Sequence, residues 1–287
     1  MNNTSLFDII PMQPENPSLN YERGEVYLEQ GEYEEALKYF ALAAKESDPN
    51  SLECAFALWR MGVAYFSLKQ DETALSYFNE AQAINNNYAE TDQGLSAAIF
   101  FGFAGIDWNK KDYNKAREWC FKSLESIKLE MGEVPPEFAV IHCVIGLTYV
   151  TQNNHSEGLT QFQEAYRISL SEEPFKEWLK KCLQNCIEPS DDLGGIFISV
   201  AIAYGIQKND NEAISFGLTA LEILKSELET DHSDIILLRI FLGAVYYRQE
   251  KYDECEAQWE EAYRISQSKE PYEEWLSQQL DQITTSA

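Results

Sequence analysis

The chain has 287 residues, of which 45% are apolar, and its 48 Asp and Glu outnumber its 22 Lys and Arg to give a formal charge of −26. That apolar content is enough for a well-buried core. Because a surface this acidic repels phosphate backbones and anionic lipids, the charge argues against nucleic acid or a membrane surface as a direct ligand.

The N-terminal segment differs from the rest of the chain. Residues 5–11 are largely apolar, and Pro11, Pro14 and Pro17 favour an extended linker. We therefore separate an N-terminal segment, residues 1–17, from a repeat domain, residues 18–287. Residues 5–11 are either a frayed terminus or a segment that docks, on this chain or on another protein. Neither a basic stretch nor a small-residue cleavage site is present, so a signal peptide is not expected.

A pattern of small and aromatic residues recurs along the chain. Its clearest copies are Gly24, Tyr27, Ala36, Phe40, Ala43; Gly62, Tyr65, Ala74, Phe78, Ala81; Gly146, Tyr149, Gly158, Phe162, Ala165; and Gly243, Tyr246, Cys255, Trp259, Ala262, with weaker copies around Ala104 and Ala201. The spacing predicts pairs of helices, A and B, in which the small residues allow close approach and the large residues fill the space beside the contact. Since a single pair leaves an apolar face uncovered, the pairs must stack.

The second half of the chain repeats part of the first. With an offset of 97 residues, the segment from Phe162 to Leu179 aligns with the segment from Trp259 to Leu276 without gaps, and twelve of the eighteen positions are identical. We infer an internal duplication of residues 97–190 and 194–287. An extra helix is expected to begin at Glu173–Pro174, and its counterpart at Glu270–Pro271 is expected to end the chain.

These features resemble the tetratricopeptide-repeat family over roughly residues 18 to 270. The glycine markers and their equivalents recur mostly at steps of 42 residues, longer than the standard unit of about 34. This resembles the long-repeat branch of kinesin light chains, Pins-type adaptors and bacterial Rap-type receptors. The resemblance implies an all-α, right-handed superhelical solenoid of about six helical hairpins, with one extra helix in mid-chain and a C-terminal capping helix.

The resemblance also implies a binding wall, because the A helices of the family line a concave groove. The wall residues expected to contact a partner are Tyr21, Leu28, Phe56, Trp59, Phe66, Phe101, Trp108, Leu147 and Tyr247. The first three repeats are expected to be the most available. A wall this apolar is not expected to stay exposed to water. Three possibilities stay open: the wall residues are part of the core, a segment of a partner covers them, or residues 5–11 cover them.

The cysteines and histidines give no sign of catalysis or of a bound metal. The six cysteines form no CxxC pair and lie in apolar helical patterns, so we expect buried thiols and a cytoplasmic, reducing location. The longest apolar run, residues 193–206, is shorter than the ~20 residues needed to cross a bilayer. No cofactor, no metal and no enzyme activity are expected.

The sequence therefore predicts a non-catalytic scaffold or adaptor that binds an apolar or amphipathic segment of a partner protein in its groove. Two alternatives stay open: an acidic protein that caps and neutralises a basic partner such as a toxin or effector, and a peptide-signal receptor of Rap type. Self-association through the groove is also possible.

Overall fold

The computed structural model describes residues 13–14, 17–88, 91–186, 192–227, 232–268 and 270–286. Residues 5–11, for which a docking role was considered, lie outside these ranges. Within them the chain forms fourteen α-helices and one short 3-10 turn, and no strand. The helices are α1 (Leu19–Glu29), α2 (Tyr33–Glu46), α3 (Leu52–Ser67), α4 (Asp71–Asn87), α5 (Gln93–Asn109), α6 (Tyr113–Met131), α7 (Ala139–Val150), α8 (His155–Ser169), α9 (Phe175–Cys186), α10 (Leu193–Ile206), α11 (Asp210–Glu227), α12 (Ser233–Arg248), α13 (Tyr252–Ser266) and α14 (Tyr272–Ser286).

The helices follow one another as six pairs, and two helices stand outside the pairs. The pairs are α1/α2, α3/α4, α5/α6, α7/α8, α10/α11 and α12/α13, while α9 and α14 are the additional helices. The predicted all-α architecture of six hairpins with an extra mid-chain helix and a final helix is thus confirmed. Helices α5 to α9 of the first copy correspond in order to α10 to α14 of the second.

The described chain divides into two compact units. Unit 1 contains the described residues up to Gln152 together with Gln161–Cys186, and unit 2 contains Asn153–Thr160 and the described residues from Asp192 onwards. The core of unit 1 is built mainly from α3, α5 and α7, whose residues are buried on most sides. In unit 2, α14 packs against α12 and α13 through Trp275, which is buried beside Ile240 and Ala262.

Polar side chains mark the starts of several helices. Ser51 Oγ accepts a hydrogen bond from the Cys54 amide at the start of α3, and Asp92 Oδ1 accepts one from the Leu95 amide at the start of α5. Each bond satisfies a donor that has no partner inside the helix. These caps help to set where α3 and α5 begin.

Glycine allows the two helices of a pair to approach closely. A Cβ atom placed on Gly24 would lie 2.5 Å from Phe40 Cε1, and one placed on Gly62 would lie 2.5 Å from Phe78 Cε1. Real Cβ atoms do not come this near to a ring carbon, so a larger residue would force the helices apart. The repeated glycine–aromatic pattern of the sequence is therefore a repeated contact between A and B helices.

We expect Gly62→Ala to lower the free energy of unfolding by about 2 kcal/mol, because the new methyl group must displace the fully buried Phe78 ring. Urea titration followed by circular dichroism measures the change. The double variant Gly62→Ala/Phe78→Leu should lose less than the sum of the two single variants, since the smaller side chain makes room for the methyl group. Strict additivity would contradict the proposed contact.

Within each unit, side-chain hydrogen bonds also join neighbouring pairs. Asn109 at the end of α5 donates to Asp71 Oδ2 at the start of α4 over 3.0 Å, and Gln152 donates to Asn114 Oδ1 at the start of α6 over 3.1 Å. In unit 2, Gln249 donates to Asn211 Oδ1 over 3.0 Å. All three bonds span 38 residues, and each links the end of an A helix, or the turn just after it, to the start of the B helix of the preceding pair.

Candidate functional site

The predicted wall residues fall into two groups in the structure. Six of the nine are buried, and they are Tyr21, Leu28, Phe56, Trp59, Phe101 and Leu147. The other three reach solvent: Phe66 and Trp108 are half-buried, and Tyr247 is 58% exposed. These six residues are core residues, which was one of the three possibilities that the sequence left open, because their side chains offer no surface to a partner.

Helix α3 shows how the first part of the wall is covered. Every residue from Cys54 to Ala64 is buried, so this helix is enclosed on all sides. The Trp59 ring lies 4.3 Å beneath the Arg60 guanidinium, and Arg60 Nη2 donates to Glu25 Oε2 on α1 over 2.7 Å. Glu25 is thereby held in an ion pair. The surroundings of Trp59 are those of a core residue.

The surroundings of Tyr21, one of the predicted wall residues, shift the pKa of its phenol. Burial raises the pKa of the Tyr21 phenol, while the nearby Arg60 guanidinium acts in the opposite direction. Because burial is the larger cause, the hydroxyl stays protonated across the physiological range. Tyr21 therefore packs as a neutral ring, edge-on to Phe40 with centroids 5.5 Å apart.

Unit 2 presents the wall differently. Apolar residues of α10 and α12 are accessible to solvent in this unit. This set, called the α10–α12 wall, consists of Ile198, Ile202, Ile206, Leu237, Phe241, Ala244 and Tyr247. Ile206 is 56% exposed and Leu237 is 44% exposed, and the other members apart from Tyr247 are half-buried.

Gly205 brings the two helices of this wall together. A Cβ atom at this position would lie 3.0 Å from Phe241 Cζ, which is tighter than ordinary contact. The missing side chain therefore lets the Phe241 ring lie directly against α10. As a result, the half-buried Phe241 of α12 lies beside α10 within unit 2.

Tyr247 is exposed but held by other aromatic rings. Its ring stacks on Trp259 at a centroid distance of 6.2 Å and meets Tyr252 edge-on at 5.6 Å. The Trp259 indole is fixed in turn, since Nε1 donates to the Ile240 carbonyl over 3.0 Å. An aromatic ring held in place before binding loses little conformational entropy when a partner covers it.

The charges of unit 2 are largely acidic. Arg248 at the end of α12 is paired with Asp210 at the start of α11. Helix α13 carries Asp253, Glu254, Glu256 and Glu260, all of them exposed. Unit 2 therefore carries accessible apolar residues on α10 and α12 and exposed carboxylates on α13.

In the part of the chain that the structure describes, no three His, Cys, Asp or Glu side chains are grouped as metal ligands would be. His142 Nδ1 lies 2.8 Å from Gln161 Oε1, and burial lowers the pKa of its imidazole. Among the same described residues, no helix has the length and apolar character to span a membrane.

Two kinds of comparison bear on this architecture. A family model described as "Tetratricopeptide repeat" matches residues 16–87 and 194–268, just over half of the chain. Among solved structures, the chain is similar to a signal-transduction ATPase with a tetratricopeptide-repeat sensor from Pyrococcus horikoshii, at 18% identity and a TM-score of 0.54. That match covers 88% of this chain and 36% of that protein.

Further solved structures are similar at lower scores. The apo form of RapI matches at 16% identity and a TM-score of 0.48, covering 86% of this chain and 96% of that one. YrrB, described as having an unusual peptide-binding site, matches at 14% identity and a TM-score of 0.47, covering 80% of this chain and 93% of that one. At these identities the likeness concerns the fold alone.

Proposed function

The chain belongs to the tetratricopeptide-repeat family, a family of protein-interaction scaffolds, and we propose that it binds an amphipathic helical segment of a partner protein on the α10–α12 wall. One observation carries the proposal: the neighbouring A helices α10 and α12 expose three large apolar side chains, Ile206, Leu237 and Tyr247, to solvent. Several exposed apolar side chains on neighbouring helices offer a partner more apolar surface than a single exposed leucine does.

The shape of the wall favours a helix as the bound element. Ile198, Ile202 and Ile206 follow one another at intervals of one helical turn along α10. A helix laid across such a row can insert apolar side chains spaced by three or four residues, as in other helix-in-groove complexes. Tyr247 would form the main anchor, since it is both exposed and pre-oriented.

The charge of the protein adds a condition on the partner. With a formal charge of −26 and exposed carboxylates on α13 of the same unit, the polar face of the bound helix should be basic. Opposite charge accelerates the encounter and disfavours acidic competitors, whereas the apolar contacts supply most of the affinity. The expected ligand is thus an amphipathic helix with an apolar face and a Lys- or Arg-rich face.

We expect peptides selected from a displayed library of helical segments, with full-length protein as bait, to match this description. Tyr247→Ala should weaken their binding about tenfold or more, and Leu237→Asp should do the same, because both remove or disrupt exposed apolar contact. Fluorescence polarisation with a labelled selected peptide measures the affinity. Leu129→Asp is the matched control, since Leu129 is 69% exposed on α6, outside the wall.

The salt dependence separates this function from the charge-capping alternative, which the exposed carboxylates of α13 favour. Binding to the wall should persist between about 0.15 M and about 1 M NaCl, because apolar burial is not screened. Peptides that ignore Tyr247→Ala and dissociate at high salt would instead assign the binding to the acidic surface. If no helical segment is enriched, the proposal is wrong.

A further inference from the structure

The interface that holds α9 in unit 1 contains a pair of cysteines in addition to its apolar contacts. Helix α9 is the additional helix that follows the fourth pair, and it lies against α7. Leu179 and Leu183 are fully buried, and Trp178 packs against a cluster that includes Ala139 and Ala165. These apolar contacts account for the position of α9.

Two cysteines meet in the same interface. Cys143 lies on α7 and is fully buried, whereas Cys182 lies on α9 and is partly exposed. Their Sγ atoms are 3.0 Å apart across 39 residues of sequence. A disulfide bond has an S–S length of about 2.04 Å, so a closing movement of about 1 Å would bring the two sulfurs to bonding distance.

The duplicated half of the chain provides an internal comparison. At the offset of 97 residues, Cys143 corresponds to Ile240 and Cys182 corresponds to Gln279, while Trp178 corresponds to Trp275. Helix α14 still packs on α12, with Ile240 and Trp275 buried in one cluster. The same packing is therefore built without sulfur, so the cysteine pair of the first copy is not needed for the fold.

We propose that Cys143 and Cys182 form a reversible disulfide bond that fastens α9 to α7 under oxidising conditions. Cys182 is the thiol that an external oxidant reaches first, because it is the more exposed of the two. Cys143 is the resolving thiol, because it is buried directly against the Cys182 sulfur.

The reaction is a pair of thiol–disulfide exchanges with a small-molecule disulfide such as oxidised glutathione. The Cys182 thiolate attacks one sulfur of the oxidant, forms a mixed disulfide and releases one glutathione thiolate. The Cys143 thiolate then attacks Cys182 Sγ and displaces the second glutathione. The two cysteines lose two protons and two electrons, and the oxidant is reduced to two molecules of glutathione.

Mass spectrometry of the full-length protein tests the bond. After treatment with oxidised glutathione, denaturation and alkylation of the remaining thiols, we expect the loss of two alkylation sites and a cross-linked peptide that contains Cys143. Dithiothreitol should restore both sites. Cys143→Ser should instead leave a stable glutathione adduct on Cys182, because the resolving thiol is absent.

Three further variants sharpen the assignment. Cys54→Ser and Cys186→Ser should both retain the cross-link; the second matters because Cys186 lies one helical turn after Cys182 in the sequence. The double variant Cys143→Ile/Cys182→Gln takes its residues from the second copy and should fold normally. Oxidation should raise the Tm of the wild type by several degrees, because the bond closes a long loop, and should leave the Tm of the double variant unchanged.

The proposal is overturned by any of three results. All cysteines of the wild type could remain open to alkylation after oxidation. A glutathione adduct on Cys182 could persist in the wild type without resolution by Cys143. The cross-link could disappear in Cys186→Ser, which would show that Cys186 provides the second sulfur.

Discussion

Trp59→Ala is expected to lower the free energy of unfolding of unit 1 by about 3–5 kcal/mol, a cost typical of deleting a large aromatic side chain from a core. Trp59 is fully buried and meets Phe56 edge-on at a centroid distance of 6.4 Å. Its removal also takes away the ring against which the buried Arg60 guanidinium packs. Urea titration followed by circular dichroism measures the loss.

The controls separate a core residue from a binding anchor. Trp108→Ala removes a half-buried ring and should cost clearly less, while Trp59→Phe should recover part of the stability because it refills much of the cavity. Tyr247→Ala should leave stability within about 1 kcal/mol of the wild type and act on binding instead. A Trp59→Ala variant that kept its stability but lost peptide binding would restore Trp59 as a groove residue.

The repeat pattern predicts the fold well because it is a pattern of contacts. Gly62 and Phe78, sixteen residues apart, are recognisable in the sequence since the helices can approach only where a small residue faces a large one. The turns were less predictable. Lys69 and Lys111 adopt positive φ angles of 60° and 61°. The first A–B turn has Gly31 at the equivalent place, with a φ angle of 75°. Nothing in a lysine signals the left-handed conformation, which short A–B turns impose on whatever residue stands there.

The exposure of the wall residues to solvent was harder to predict than their identity. Family positions identify which face of each A helix points inwards, but they do not tell how closely the helices approach. We expected the first three repeats to be the most available, whereas Phe56, Trp59 and Phe101 are buried and Ile206 and Tyr247 are exposed. Exposure on a concave wall depends on tertiary packing, which a pattern along one helix does not contain.

A clue to this difference was present in the sequence of α3. Small and apolar residues occupy every face of this helix from Cys54 to Ala64, with Arg60 as the exception. A helix that is apolar all round is usually enclosed on all sides. Helix α10 is also apolar all round, yet its Ile198 and Ile202 are only half-buried, so the argument describes α3 better than α10.

Asn85→Leu is expected to lower the free energy of unfolding of unit 1 by about 3 kcal/mol, since it breaks the polar network that the fully buried Asn85 makes between α4 and α5. Asn85 Nδ2 donates to the Asp92 carbonyl and to Ser96 Oγ, both over 2.9 Å. Its Oδ1 accepts from the Asp92 amide over 3.0 Å. Leucine has a similar volume, so the loss would come from polar groups left without partners rather than from a cavity.

The most specific measurement is where along the chain Asn85→Leu speeds hydrogen exchange. Asp92 caps α5 through the Leu95 amide, so loosening Asp92 should speed hydrogen exchange at the first turn of α5 before other helices respond. Asn79→Leu is the matched control, because Asn79 is exposed and bonds only within its own helix, and it should change stability by less than about 0.5 kcal/mol. In the double variant Asn85→Leu/Ser96→Ala, removing the second polar partner should recover part of the loss. Equal costs for Asn85→Leu and Asn79→Leu would contradict the assignment of Asn85 as the link that sets the entry of α5.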